Sequence, residues 1–527
     1  MKKQSFRRRK QSAKRRRRRK SFSAIDRLSQ LPQPILHNIL SLISQKDAVR
    51  TSVLSKSWRY LWHGRLNVEF RDRDHWFSRN KKIWSFIDKT LQRYLDQNLS
   101  LQKFIVDIFY YDVDFVLLKK WIHMVIMNMG VRSLNLIFGM NSIVFPLPLV
   151  VFQSESLVEL HLQRCDLSTL ESTDNVMLNN LQTLRLHGVN ITDEIFEKLI
   201  LGCPLIENLD MLKCIGLKSI KLHKHHNIKD FGCSVNVPLI IEIEDPHALE
   251  SLRIENCCHN WFLPHKNMHF PHLKSLTLQR VKLNIDTFSN FSSFFPCLNE
   301  LIINNCKGLK EFRLLSSSIK RLTIIMDTRN RIKAFFGTPN ILYFKYSGHG
   351  DAVLPSIKFT TTSNEWKSKI SLSCKLNRSD KDLRKLNNLL KALSQSHITV
   401  KLFHNVFRKQ LHINDSYGGF YKPVVVEHLK LKRFFTSYLE LVMLNCFFRI
   451  CHPLYIYMDT YDDLRDKCII VEYVSKLISD ETGPCLEEVS IEVWDMKAKE
   501  WHCVKGTIYT AMRCKQLIRF QLTWKEQ

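Results

Sequence analysis

The sequence predicts an α/β protein made of a short three-helix module followed by a solenoid. The solenoid's strands should form one curved parallel sheet, with helices or irregular segments on the convex side. Three observations lead there. An apolar triplet pattern returns every 21–26 residues through the middle of the chain. Cysteines fall at a fixed offset from it. A segment near the N-terminus reads as three short helices with more apolar surface than they can bury.

The triplet is apolar, two residues, apolar, one residue, apolar. It occurs at Val131-Leu134-Leu136, Leu157-Leu160-Leu162, Leu181-Leu184-Leu186 and Ile206-Leu209-Met211. It continues at Leu249-Leu252-Ile254, Leu273-Leu276-Leu278, Leu298-Leu301-Ile303 and Ile319-Leu322-Ile324, with a weaker unit at Ile228-Phe231-Cys233. A period of 20–29 residues with one strand per repeat is the signature of a leucine-rich solenoid. In a chain that is 45% apolar a single match means little, so the cysteines discriminate better. Cys165, Cys214, Cys257 and Cys306 each follow the last apolar position by three residues. There such repeats turn out of the strand and point a Cys or Asn inward, so these thiols are expected to be buried and structural.

The N-terminal module lies in DRLSQLPQPILHNILSLISQKDAVRTSVLSKSWRYLW, residues 26–62. Leu31 and Pro32 lead in extended, and Pro34 suits the first turn of a helix, where a missing N–H costs little. Ile35, Leu36, Ile39, Leu40 and Ile43 follow at helical spacing. Ser44 with Asp47 three residues on marks a second helix start, carrying Val49 and Val53 one turn apart. Ser55 is placed to cap a third helix bearing Trp58, Leu61 and Trp62. Fewer than 40 residues cannot bury all of this internally, and the surplus argues for a partner surface.

This segment resembles an F-box of the plant type that continues into leucine-rich repeats, above all in KDAVRTSVLSKSWRYLW. That family often has Asp-Glu after its Leu-Pro; here Gln33 and Pro34 stand there. The wording of WIHMVIMNMGVRSLNL, FPLPLVVFQSESLVELHLQRCDL and LILGCPLIENLDMLKCIGLKSIKL resembles the same family, so the likeness spans about residues 24–325. Between module and repeats, helices are expected at Ile83–Leu95 and Leu117–Met129, with the strand-like LQKFIVDIFYY between them.

The last third fits the triplet only with wide gaps, at Ile341-Phe344-Tyr346, Val426-Leu429-Leu431, Leu486-Val489-Ile491 and Leu517-Phe520-Leu522. Helices are expected near Asp380–Gln395, Phe434–Ile450 and Leu464–Ile478. The end, PCLEEVSIEVW through LIRFQLTW, is similar to the C-terminal FBD module of many plant F-box proteins. The expected division is a disordered basic arm (1–23), an F-box (24–70) and a helix-and-strand connector with the start of the repeats (71–130). Leucine-rich repeats (131–346) follow, then irregular repeats with an FBD-like module (347–527).

Composition narrows the function. The net charge is +29 over 527 residues; residues 1–20 hold 13 Lys and Arg and no acid, leaving +16 for the rest. Such an arm suits nuclear import or polyanion contact. Fifteen scattered cysteines and a basic, polar N-terminus suit a reducing compartment and no signal peptide. The most apolar stretch, Leu136 to Phe152, is broken by Asn141, Ser142, Pro146 and Pro148, so no membrane span is expected. There is no phosphate-binding glycine loop, dinucleotide turn or nucleophile elbow, and 15 glycines leave little material for one. His223, His225 and His226, and the knot Cys257, Cys258 and His259, lack the paired spacing of a zinc site. No cofactor, metal or catalytic residue is expected.

The resemblance implies a non-catalytic tethering subunit of a ubiquitin ligase. The F-box would dock on a Skp-type adaptor, which joins a cullin and a RING subunit, and the repeats would hold a target protein. The adaptor-binding candidates are Leu31, Pro32, Ile35, Leu36, Ile39, Leu40, Val49, Leu54 and Trp58; about half should close the module's own core, with Leu31, Pro32 and Ile35 least needed for it. Strand alternation puts His161, Arg185, Asp210, Arg253, Thr277 and Ile302 on the face available to a target. A nuclear or nucleocytoplasmic location is expected. The alternative is a basic scaffold binding nucleic acid or another polyanion, with LKLKRFFTSYLE as an example of aromatics among cations.

Overall fold

The computed structural model describes residues 30–54, 58, 61, 64–71, 82–109, 114–139, 144–171, 173–222, 225–234, 240–243, 246–256, 269–283, 291–327, 332–350, 353–361, 365–374, 380–403, 422–432, 444, 447–458, 486–495, 498–503 and 518–525. The basic arm, Ser55, Trp62, His223, Cys257, Cys258, His259, the helix expected over Leu464–Ile478 and most of that over Phe434–Ile450 lie outside them. The chain forms two compact units, residues 1–182 with 198–204, and 183–197 with 205–527.

The first unit starts with helices α1 (Gln33–Leu42) and α2 (Gln45–Thr51). Pro32 sits at the N-cap of α1, and Pro34 falls in its first turn as its fixed φ favours. Leu36 and Leu40 form a core with Ala48, Trp58 and Leu61, against which Leu31 and Ile43 pack. Ser44 caps α2, its Oγ accepting the Asp47 N–H at 3.1 Å. The helix stops at Thr51, because Val53 N–H bonds to Arg50 O and Leu54 N–H to Thr51 O in tightened i to i−3 turns. Val53, expected one helical turn beyond Val49, therefore lies in the following turn and is exposed.

Four parallel strands follow in this unit: β1 (Asn67–Arg71), β2 (Lys103–Ile108), β3 (Ser133–Phe138) and β4 (Glu159–Gln163). Their register aligns Val68, Phe104, Leu134 and Leu160 in one buried row and Phe70, Val106, Leu136 and Leu162 in the next. Helices α3 (Lys82–Asp96) and α4 (Phe115–Met127) lie where their periodicity predicts. Trp84 stacks on Trp121 with ring centres 5.5 Å apart. Asp88 Oδ1 accepts from Trp121 Nε1 and Lys120 Nζ, both at 2.9 Å, which holds its carboxyl below the usual range.

The second unit continues the repeat in β5 (Thr183–His187), β6 (Asn208–Leu212), β7 (Asp230–Ser234), β8 (Ser251–Glu255), β9 (Ser275–Gln279), β10 (Glu300–Asn304) and β11 (Arg321–Met326). It runs on through β12 (Tyr343–Gly350), β13 (Lys367–Cys374), β14 (His397–Phe403), β15 (Val424–Lys432) and β16 (Cys451–Met458), all parallel. The regular ladder thus passes residue 346, where the triplet fades. Antiparallel strands then follow: β19 (Ile518–Trp524) pairs with β16 and with β17 (Leu486–Asp495), which in turn pairs with β18 (Glu500–Cys503).

Six of the strands from β4 to β10 end in the same turn. Arg164, Gly188, Lys213, Asn256, Arg280 and Asn305 directly follow β4, β5, β6, β8, β9 and β10, and all have φ between 52° and 59°. The next residue turns inward: Cys165, Val189, Cys214, Val281 and Cys306 are all buried. Cys306 Sγ donates to Leu278 O at 3.3 Å and Cys214 Sγ to Leu186 O at 3.5 Å, so these thiols satisfy backbone within the second unit's stack. The expected inward, structural cysteine is found at Cys165, Cys214 and Cys306. A second layer of parallel strands, Glu311–Leu315, Lys333–Gly337 and Ser356–Thr360, packs Phe336 and Phe359 5.0 Å apart. Helix α5 (Asp380–Ala392) buries Leu386, Leu389 and Leu390, and Asn387 Nδ2 donates to Ile450 O at 3.1 Å.

Candidate interaction surfaces

On α1, positions one residue apart take opposite fates. Leu36 and Leu40 point into the module's core, whereas Ile35 is 45% exposed and Ile39 is half-buried. Of the nine adaptor-facing candidates, Leu36, Leu40 and Trp58 close the core, and Leu31 packs against it. Leu31 was expected to be among the residues least needed internally, but the extended lead-in lays its side chain back over the core. Pro32, Ile35 and Leu54 remain exposed, Leu54 by 62%, and Val49 is half-buried. Two apolar residues not singled out from sequence join them: Leu42 is 86% and Val53 84% exposed. Leu42 was legible as the last apolar position of α1 outside the buried stripe; Val53 was hidden by the early end of α2.

The module is fastened to the strands behind it by a buried cation. Arg65 is 3% exposed and its Nη2 donates to Ile43 O at 2.9 Å, just past the end of α1. Tyr94 OH, from α3, donates to the Arg65 carbonyl at 2.7 Å. Burial lowers the guanidinium's pKa and raises that of the Tyr94 phenol to about 12, so the pair stays a cation beside a neutral phenol.

The predicted target-facing residues all leave the sheet on its non-core side, between buried neighbours. In the first unit His161 lies beside Asn135. In the second, Arg185, Asp210, Gly232, Arg253, Thr277 and Ile302 form one cross-strand row. Arg253 Nη2 reaches Asp210 Oδ1 at 2.9 Å, and its Nε lies 3.9 Å from Glu255. The charges chosen from sequence therefore largely neutralise one another.

The continuation of this row went unread in the sequence: Thr323, Lys345, Lys369, Thr399, His428 and Tyr455. KSKISLSC and HITVKLF do alternate in the strand period, which was the available signal. At the far end Arg519 lies over Tyr455 at 4.5 Å and Trp501 at 4.4 Å and pairs with Glu492. Lys430 sits 5.0 Å from the Tyr457 ring. No cluster of three metal-ligating side chains occurs among the described residues. No helix among them is long and apolar enough to cross a membrane.

Comparison with known proteins identifies both the module and the repeats. Residues 28–68 match the F-box domain model, and residues 118–251 and 227–335 match the leucine-rich repeats of FBD-associated F-box protein At5g56370. The chain is 34% identical over 226 residues to the F-box/LRR-repeat protein At3g59200 of Arabidopsis thaliana, covering 41% of this chain and 40% of that relative. It is 28% identical over 324 residues to the Arabidopsis F-box protein At1g60400, covering 59% of this chain and 75% of that one. It is 30% identical over 203 residues to Arabidopsis F-box/LRR-repeat protein 25, covering 38% of this chain and 72% of the relative.

Proposed function

The chain belongs to the plant F-box/leucine-rich-repeat family, and on that premise we propose that it is the target-choosing subunit of a Skp–cullin–F-box ubiquitin ligase. The observation that carries this reading is the apolar surface of Pro32, Ile35, Leu42, Val53 and Leu54, left outside a core that Leu36, Leu40, Ala48, Trp58 and Leu61 already close. A Skp-type adaptor would cover that surface. Burying a large apolar side chain contributes roughly 1.5–3 kcal/mol before association costs, so a few suffice.

The chain performs no bond chemistry in this reading. The adaptor brings the cullin and RING subunit, and the repeats hold a target so that its lysines meet the charged conjugating enzyme. The gain is effective concentration and orientation. Arg65 supports that role by tying the end of α1 to the segment entering β1, so the docked end and the first strands move together. The basic arm, with 13 cations in its first 20 residues, supports nuclear entry.

Purified Skp-type adaptor and the full chain should co-elute in size-exclusion chromatography. Ile35→Ala with Leu54→Ala should abolish co-elution while circular dichroism stays unchanged. Failure of the wild-type chain to associate at all overturns the reading. For location, a fluorescent fusion should lose nuclear accumulation when residues 1–20 are deleted; unchanged distribution overturns that part.

A further inference from the structure

The outward face of the second unit's parallel sheet changes sign partway along. In β5 to β10 its three cross-strand rows carry four carboxylates, Asp210, Asp230, Glu255 and Glu300, against the cations Arg185 and Arg253. From β11 onward the rows read Arg321-Tyr343-Lys367-His397, then Thr323-Lys345-Lys369-Thr399-His428-Tyr455, then Ile325-Ser347-Ser371-Lys401-Lys430-Tyr457-Arg519. None of these three rows holds an acid. Of the carboxylates beside them, Glu427 is engaged with His397 at 3.3 Å and His428 at 3.6 Å and Glu492 with Arg519, while Asp327 and Glu365 lie exposed at the ends of β11 and β13, outside the rows.

Six Lys and Arg, namely Arg321, Lys345, Lys367, Lys369, Lys401 and Lys430, thus lie on one face of neighbouring strands, and Arg519 beyond them is paired with Glu492. Strands lie about 4.8 Å apart and same-face residues about 6.6 Å along a strand, so Lys345 and Lys369, and Lys401 and Lys430, are nearest neighbours across the ladder. The Thr399 hydroxyl lies in the same rows, whereas Ser347 and Ser371 are buried between them. Like charges this close repel and raise affinity for a complementary ligand. The rings at the far end are taken up by packing: Tyr455 and Trp501 hold Arg519, and Trp501 also meets Trp494 at 5.3 Å and Tyr457 at 5.8 Å. Lys430 beside the Tyr457 ring keeps its charge, since a cation–π contact positions a cation without neutralising it, and rings so engaged are poorly placed to stack on bases.

We propose that the face of β11 to β16 is the target-docking surface and that its occupant is an extended acidic segment, rich in Asp and Glu, of the target protein. This rests on the target-choosing reading above and gives that target its chemistry. The same face on β5 to β10, with Arg253 bound to Asp210, repels such a segment and fixes where along the sheet it lies.

The test uses the full chain and a fluorescein-labelled peptide of alternating Asp, Glu and Ser, read by fluorescence anisotropy at about 0.15 M salt, where screening reaches about 8 Å. The variant Lys345→Glu/Lys369→Glu/Lys401→Glu should weaken binding about tenfold or more. The control Lys218→Glu/Lys310→Glu/Lys333→Glu changes charge equally at exposed sites off this face and should change binding less than about twofold. The basic arm is common to all three proteins. Equal losses in both variants overturn the proposal, since the peptide then reads net charge alone. An oligothymidylate that displaces the peptide and loses affinity selectively with the face variant also overturns it, in favour of nucleic acid. Adaptor co-elution, run on the same proteins, should survive both variants; peptide binding without adaptor binding would sink the ligase reading and leave this surface standing.

Discussion

Arg253 reaches from β8 over Gly232 of β7 to Asp210 of β6, skipping a whole strand. A Cβ on Gly232 would come within 2.6 Å of Asp210 Oδ1 and 2.8 Å of Arg253 Nη2, so the glycine is the gap through which the ion pair closes. Glycine weakens a strand by roughly 0.5–1 kcal/mol relative to alanine, and a half-exposed ion pair contributes about 0.2–1 kcal/mol. Gly232→Ala should therefore be close to neutral in the native chain. In an Asp210→Ala background, with no pair left to break, it should stabilise by about 0.5–1 kcal/mol. Urea denaturation of the four proteins of the cycle measures this; equal effects in both backgrounds would show that the two residues are not coupled.

Inward and outward apolar residues of the F-box should separate cleanly. Leu40→Ala leaves a hole beside Trp58 and Ala48 and should cost about 2–5 kcal/mol. Leu54→Ala trims an exposed side chain and should change stability by less than about 0.5 kcal/mol while weakening adaptor capture. Thermal melts and adaptor titrations on the two variants check the pair.

The difference between those positions marks how far the sequence could be read. Ile35, Leu36, Ile39 and Leu40 are all apolar at helical spacing, so periodicity finds α1 but cannot say which adjacent pair faces inward. From β4 to β11 the repeat was plain because Leu, Ile, Phe or Met fill nearly every inward position. It faded at β13 because Ser368, buried and bonded to Ser396 Oγ at 2.6 Å, stands where a leucine would. At β16 the inward residues include Cys451 and Pro453, and the apolar triplet again fails. The lysine face was missed for that reason: the triplet Ile341-Phe344-Tyr346 fixes the phase of Lys345, but without the phase in the next two strands Lys369 and Lys401 could not be assigned to the same surface.

The first turn of α1 contains no acid, and its N-cap Pro32 makes no side-chain cap bond. This is the local consequence of Gln33 and Pro34 standing where relatives often carry Asp-Glu. A carboxylate there would meet the positive end of the helix, so Gln33→Glu should raise stability by about 0.3–1 kcal/mol at neutral pH. The gain should vanish below about pH 4, as the new carboxyl protonates. Melting curves at pH 7 and pH 3.5 decide it.

Burial pushes the Cys306 thiol up to about 11, and Cys203 and Cys214 to about 12. An unfolded thiol ionises near 8.5, so the native state retains protons that the unfolded chain has released. The resulting stability is fully present below about pH 8.5 and is lost as pH rises through about 11; for Cys306 it amounts to roughly 3 kcal/mol. Val189 and Val281 occupy the same turn position in neighbouring repeats and are equally buried. Cys306→Val should therefore cost under about 1.5 kcal/mol at pH 7 and flatten the fall in stability between pH 9 and about 11. An unchanged alkaline slope would place the titration elsewhere.

Arg65 buries a full charge for one side-chain bond, to Ile43 O, while its Nε and Nη1 find no hydrogen-bond partner among the described residues. Its desolvation is costly, and replacing a buried ion by a shape-matched apolar side chain is often neutral or stabilising. Arg65→Met should therefore leave global stability within about 1 kcal/mol of the native value. What it should lose is the tie between α1 and the start of β1. Amide exchange in Gln33–Leu42 is then expected to quicken while that of β2 and β3 stays put, because only the local opening becomes easier. A large global loss, about 3–5 kcal/mol, would instead mean that Arg65 was compensating another buried charge, and uniform exchange would mean that the F-box is held by its apolar core alone.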